Sequence, residues 1–260
     1  MMHQPNLHTL FNPKGIAVIG ASTHPGKFGF VALHNILASG FDGNIFATNP
    51  KMPEILGIQT LKSVDRIPKD SIDVAMICLG PKQTIAVLPE LAEKGVKAGF
   101  VVSGGFRESG AEGVALEHEL VQVANSLGIT IAGPNGQGFV STPANLCSQI
   151  VSPYPPMGNI SIASQSGNIL SAMLNLSRAK NIGIARAISI GNQAQLGVAD
   201  YIRYFGTDSE TKVVVAYVEG LPNGRDFYDS LKEVSNRKPV IVIRGGTPSD
   251  GAKAASSHTG

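Results

Sequence analysis

Tryptophan is missing from these 260 residues, and the other aromatics are sparse, with 10 Phe and 5 Tyr. A platform for stacking nucleic-acid bases needs aromatic faces, so the composition argues against one. Cysteine occurs only at Cys78 and Cys147, without CxxC spacing or a nearby histidine cluster. That excludes a disulfide framework and gives no sign of a metal site. No apolar run approaches the ~20 residues of a membrane span, and no basic-then-apolar leader opens the chain. Net charge is only +2, too small to argue for nucleic acid or an anionic membrane. The expectation is a reducing cytoplasm, with neither nucleic acid nor membrane as partner.

What is present suits a folded α/β protein. Hydrophobic residues make up 43% and charged residues 15%, enough apolar side chains for a core. The length suits one or two domains of ~100–150 residues. Thirty Gly and 16 Pro fit a chain with many short strand-to-helix turns. Short Val- and Ile-rich runs predict strands at 16–19, 44–47, 74–79, 99–102 and 130–132. A second series is predicted at 160–163, 187–190, 213–218 and 240–243. Their near-continuous apolarity suits strands buried on both faces. Between them Leu116, Leu120, Val123 and Leu127 recur at helical spacing, as do Phe227, Leu231 and Val234. Such alternation gives parallel sheets covered by helices. Cys78 falls in an apolar run and is expected in the core; Cys147 is expected in a loop. Pro143, Pro153, Pro155, Pro156 and Gly158 cluster where one unit should give way to the next. The predicted division is a first domain over 1–142, a linker over 143–157 and a second domain over 158–260.

The turn after the first strand runs from Gly20 through Ser22 and Lys27 to Gly29. Glycine lets backbone approach a phosphate there, and the next helix N-terminus attracts anions. The loop is longer than GxGxxG, and the second strand ends in Thr48-Asn49-Pro50-Lys51, without the acid of an NAD site. Lys51 suits a ribose that carries a phosphate, as in coenzyme A or NADP; a solvated loop lysine is the plain alternative. Further strands end in Gly80-Pro81, Ser103-Gly104-Gly105-Phe106 and Gly133-Pro134-Asn135-Gly136. In open α/β sheets such turns line one crevice.

In the second half, Ser164-Gln165-Ser166-Gly167 opens a helix and reads either as an anion seat or as an N-cap. Gly191-Asn192 follows the next strand, and Glu219 ends an otherwise apolar one. His258 sits among small residues in Ser256-Ser257-His258-Thr259-Gly260. An imidazole in that setting can take a group covalently and pass it on, while the plain alternative is a surface histidine.

In this order and spacing the motifs closely resemble the NDP-forming acyl-CoA synthetases, relatives of the succinyl-CoA synthetase alpha subunit. The resemblance covers nearly the whole chain. It implies a Rossmann-like CoA-binding domain followed by a flavodoxin-like, succinyl-CoA synthetase-like domain. In that family an acid, CoA and ATP give acyl-CoA, ADP and phosphate, reversibly, through acyl phosphate and phosphohistidine. Carried over by position, His258 would be phosphorylated and Glu219 would hold its tautomer. Ser164, Gln165, Ser166 and Gly167 would face the phosphate. Gly20, Ser22, Lys27, Asn49, Pro50, Lys51, Gly80, Ser103 and Asn135 would serve the CoA site. Coenzyme A and a small carboxylic acid would be the ligands. ATP/ADP and Mg2+ would come through an ATP-grasp domain or beta-type subunit, and an oligomer is expected. The sequence stops inside the histidine motif, so the second domain is expected to be incomplete.

Two departures bear on acyl specificity and turnover. Gln193-Ala194-Gln195-Leu196-Gly197 stands where the family commonly has Lys-Ala-Asp-Val-Asp, and Gly136-Gln137-Gly138 replaces Cys-Leu-Gly. Both changes are expected where acyl group and phosphate meet. Two other classes of reading are a CoA- or acyl-CoA-binding regulatory module, such as that fused to protein acetyltransferases, and an NADP-binding oxidoreductase. The His258–Glu219 pair favours the enzyme over the module, and the long first loop disfavours the oxidoreductase.

Overall fold

The computed structural model describes residues 5–151 and 154–246. His258 and its neighbours lie outside the described residues.

The chain opens with a short helix α1 (Leu7–Phe11), then β1 (Gly15–Ile19), α2 (Phe28–Ala38) and β2 (Asn44–Thr48). A small hairpin of β3 (Glu54–Ile55) and β4 (Ile58–Gln59) precedes β5 (Val74–Ile77), α3 (Pro81–Glu93) and β6 (Ala98–Val101). The first unit ends with α4 (Ala111–Leu127) and β7 (Thr130–Ala132). Its sheet has the order β2-β1-β5-β6-β7, every pair parallel. The chain order reverses at β1, so the crevice above β1 and its neighbours is the usual ligand position. β1, β5 and β6 are buried throughout, as their continuous apolarity requires.

The second unit begins with β8 (Gly138–Ser141) and β9 (Leu146–Gln149), followed by β10 (Met157–Ser164), α5 (Gly167–Lys180) and β11 (Ile184–Ser189). Then come α6 (Val198–Thr207), β12 (Val213–Val218), α7 (Gly224–Ser235) and β13 (Val240–Arg244). The sheet order is β13-β12-β10-β11-β8-β9; β13, β12, β10 and β11 run parallel, and β8 and β9 are antiparallel additions.

All nine predicted strands are present, two with both ends as predicted and the others with ends shifted by up to three residues. Three expectations are corrected. Of the stretch 143–157, expected as a linker, Leu146–Gln149 form β9 and Met157 begins β10, both strands of the second sheet. Cys147 lies buried in β9 opposite Val140, not in a loop, and burial pushes its thiol up to about 12. Cys78 lies just past the end of β5 and is only half-buried, packed against the core.

The two units share contacts along their whole junction. α1 precedes the first sheet yet packs on the second: Phe11 stacks on Tyr204 at 5.4 Å and meets Phe139 edge-on at 5.8 Å. Arg186 of β11, 2% exposed, reaches the same place. Its guanidinium donates to Phe11 O and Asn12 Oδ1, both at 3.0 Å, and pairs with Asp208. β9 would be a bare sheet edge, but the Cys147 N–H donates to Ser39 Oγ of α2 at 3.1 Å. Asn35 Nδ2 donates to Gln149 O at 2.7 Å beside it.

Candidate functional site at the strand ends

Glycine at the end of β1 is required by geometry. Gly20 has φ +86°, and a Cβ there would stand 2.8 Å from Leu79 Cδ2. A Cβ on Gly29 would collide with the Gly20 carbonyl, so α2 lies directly on the turn. The Gly20 N–H donates to Thr48 Oγ1 at 3.2 Å, which joins this turn to the end of β2. Asn49 strengthens the joint: its Nδ2 donates to Ala21 O at 2.8 Å, and its Oδ1 accepts the N–H groups of Lys51 and Met52, each at 2.9 Å. The Asn49 carboxamide therefore shapes the loop that presents Pro50 and Lys51. Ser22 Oγ accepts the His24 N–H, and His24 Nδ1 accepts the Gly26 N–H, each at 3.1 Å. Lys27 and Lys51 are exposed at the carboxyl ends of the neighbouring strands β1 and β2. Gly80 is the N-cap of α3, and the Ser103 carbonyl accepts the Asn135 N–H at 3.1 Å.

Beside these loops, a cleft of about 760 Å³ opens between the two units. Of the residues nominated from the sequence, Asn135, Gln165, Ser166, Gly167 and Glu219 line it. The other nominated residues, Gly20, Ser22, Lys27, Asn49, Pro50, Lys51, Gly80, Ser103 and Ser164, do not. Most of these lie in the turns at the carboxyl ends of the first sheet's strands. Ser164 is buried, with its hydroxyl turned back onto Ser166 O at 2.7 Å.

Gln165 was expected to face phosphate, but its side chain is otherwise engaged. Its Oε1 accepts the N–H groups of Glu219 (2.6 Å) and Gly220 (2.9 Å), while Nε2 donates to Gly220 O at 2.7 Å. Gln165 thus fixes the loop that aims Glu219. Adjacency of β10 and β12 makes this possible. Ser166 caps α5 through Ile169 N at 3.4 Å, leaving the first-turn N–H groups of that helix toward the cleft. Burial, and then the Glu219 charge and hydrogen bond, push the Tyr217 phenol up. A Cβ on Gly245 would strike the Tyr217 hydroxyl and come 3.6 Å from Glu219 Cγ, so the chain leaves β13 beside Glu219.

Asn192, which lines the cleft, anchors a cluster behind it that sequence reading missed. Asn192 Nδ2 donates to Glu108 Oε2 and, at 2.9 Å, to Glu117 Oε2; its Oδ1 accepts from Asn135 Nδ2 at 3.3 Å. Glu117 is 1% exposed and is also paired with Arg107. Burial pushes the Glu108 carboxyl up, but bonds from Asn192 and from the Gly105 and Phe106 N–H groups outweigh it, leaving it below the usual carboxylate range. Gly191 lies so close to the Pro134 carbonyl that no Cβ fits, and the Asn192 N–H donates to that carbonyl at 2.9 Å.

Gln195 and Gly197 do not face the cleft, contrary to expectation. Gln195 Nε2 donates to Asn125 Oδ1 at 2.7 Å and its Oε1 accepts the Ile131 N–H, which covers the free edge of β7. Gly197 is the N-cap of α6, its N–H bound to Asp200 at 2.8 Å. Gly136 and Gln137 do line the cleft.

Residues 14–142 match the CoA binding domain family, and residues 157–260 match the succinyl-CoA ligase like flavodoxin domain. The chain is 40% identical over 259 residues to the Pyrococcus furiosus acetate–CoA ligase [ADP-forming] I subunit alpha, covering 98% of this chain and 56% of the relative. It is 40% identical over 254 residues to acetate–CoA ligase [ADP-forming] I of Archaeoglobus fulgidus, covering 98% and 37%.

The chain belongs to the NDP-forming acyl-CoA synthetase family.

The solved structure of the Ca. Korarchaeum cryptofilum dinucleotide forming acetyl-coenzyme A synthetase 1, in complex with phosphate and ADP, superposes with a TM-score of 0.90 at 39% identity. It matches over 98% of this chain and 55% of its own. The chain thus spans between about a third and just over half the length of these synthetases. The boundary of the first matched region falls within the second sheet: β8 lies inside that region, and β9 lies between the two regions. Among the described residues no helix is long and apolar enough to cross a membrane.

Proposed function

We propose that this chain is the CoA-binding and phosphohistidine-carrying part of an ADP-forming acyl-CoA synthetase. The observation that carries the reading is the cleft in which the N-terminus of α5 and Glu219 come together, with Gly245, just past β13, lying beside Glu219. ATP would transfer its γ-phosphoryl group to His258, releasing ADP. A carboxylate oxygen would attack that phosphorus, forming acyl phosphate and freeing the imidazole. The CoA thiolate would then attack the acyl carbon and expel phosphate; each step reverses. Glu219, accepting a hydrogen bond from one ring N–H, would leave the other ring nitrogen free as nucleophile. The α5 N-terminus would hold the phosphoryl oxygens with its unpaired N–H groups.

ATP, ADP and Mg2+ belong in this reading to an ATP-grasp domain or beta-type subunit outside these residues. No cluster of His, Cys, Asp or Glu among the described residues suits a metal ion. The setting would be the cytoplasm, and the acid a small one. That the relatives are ligases favours the enzyme over a regulatory CoA-binding module.

The test supplies the ATP-grasp part and labelled ATP. The protein should take up label that is acid-labile and base-stable, and His258→Ala should abolish it. Tight CoA binding with no such label would sink the enzyme in favour of the binding module.

Within the first crevice, Lys51 would meet the ribose phosphate of CoA. By calorimetry, Lys51→Ala should weaken CoA roughly ten-fold, as loss of one charge-assisted bond implies, and dephospho-CoA hardly at all. Equal losses would remove Lys51 from that role.

A further inference from the structure

Just before β8, two glycines flank a single side chain, that of Gln137. A Cβ on Gly136 would lie 2.6 Å from Ser189 O and 2.7 Å from Phe100 Cζ. Gly138 has φ +107°, and a Cβ there would collide with the Ser148 carbonyl. Gln137 stands between them, and its side chain crosses to the start of α5. A Cβ on Gly167 would lie 2.6 Å from Gln137 Cγ and 2.7 Å from Nε2, so the carboxamide fills the space a side chain at 167 would take. Gln137 Oε1 accepts the Ser171 hydroxyl at 2.8 Å, and Nε2 donates to Asn168 Oδ1 at 3.2 Å. The Gln137 carbonyl also accepts the Ile150 N–H at 3.0 Å, which ties it to the apolar flank formed by Ile150 and Val151.

We infer that Gln137 is a specificity-determining residue for the acyl group, a conclusion that rests on the synthetase reading above. An acyl phosphate held by its phosphoryl group at the α5 N-terminus would have its acyl carbon within the same cleft wall. Gln137 sits between that seat and the apolar flank, so its volume limits acyl length, and its amide makes the wall polar. The carboxamide therefore selects short acids over long apolar ones. Arg107 does not broaden the choice to dicarboxylates. It is the sole cation among the described residues of the cleft wall, and Glu117 already holds it.

The experiment measures acyl-CoA formation by the complete assembly, this chain with its ATP-grasp part, across acetate, butyrate and hexanoate. Gln137→Ala should raise the ratio of kcat/KM for butyrate over acetate about ten-fold, the scale of a few methylenes gained or lost in a pocket. Gln137→Leu, which preserves volume and fold, should raise hexanoate relative to acetate through KM. A merely structural role would lower all three acids together, and ratios unmoved in both variants would overturn the inference. If the unaltered assembly consumed no CoA with any acid, the synthetase reading would fall with it.

Discussion

Arg186→Met is expected to destabilise the chain by about 3–5 kcal/mol, the usual cost of breaking a buried ion pair from one side. The reason lies in what Arg186 holds. Its guanidinium is 2% exposed and bonds at once to Asp208, Ser141, Asn12 and the Phe11 carbonyl, and it also lies 5.8 Å over the Phe11 ring. Methionine fills much of the volume but leaves Asp208, 6% exposed, as a charge with little solvent. Urea unfolding of the single variant against wild type gives the cost. The double variant Arg186→Met with Asp208→Leu should recover most of it, since removing both charges removes the unpaired one. A single variant within about 0.5 kcal/mol of wild type would show the cluster to be a spectator.

Asn192→Asp is the second large effect, and it should depend on pH. The substitution exchanges a donor shared by Glu108 and Glu117 for a third carboxylate. Repulsion would raise the folded pKa of the new Asp above its unfolded value of about 3.9. The penalty is absent below that unfolded value, grows as pH rises through the gap, and is complete above the folded pKa. Glu108 acts in the same direction. Its folded pKa is lowered with help from Asn192, so the stability it supplies in wild type is present above about 4.3, its unfolded value, and fades in acid. The deficit of the variant should therefore be about 3 kcal/mol at pH 7 and shrink toward pH 4, by urea unfolding of both proteins at each pH. A deficit of constant size across that range would mean that the side chain acts through shape alone.

The parallel strands were legible because burial on both faces leaves an unbroken apolar run, as in 74–77 or 213–218. β8 and β9 were not. Gly138, Ser141, Ser148 and Gln149 interrupt their apolarity, and Pro143 sits in their connection, so the hairpin reads as irregular chain. In the site, motifs that act through backbone were readable: Gly20 at its positive φ and Gly167 at the start of α5. Side-chain partnerships across the fold were not. Asn192 meets Glu108 and Glu117 over 84 and 75 residues, and nothing in the spacing of α4 marks Glu117 as buried. Gln165 shows the reverse error: its motif was seen, but its partner loop at 219–220 follows only from which strands lie side by side.

The docking of α1 has a consequence for how the protein comes apart. Phe11 belongs to the strand order of neither sheet, yet it and Phe100 both pack on Phe139, within one apolar cluster that also takes in Tyr201 and Phe205. A cut at residue 142 would pass through that cluster, not between two autonomous modules. The CoA-binding region and the ligase-like region are therefore coupled in folding cooperativity. The walls of their cleft rest on that shared core, so a substitution that loosens one unit is expected to loosen the other.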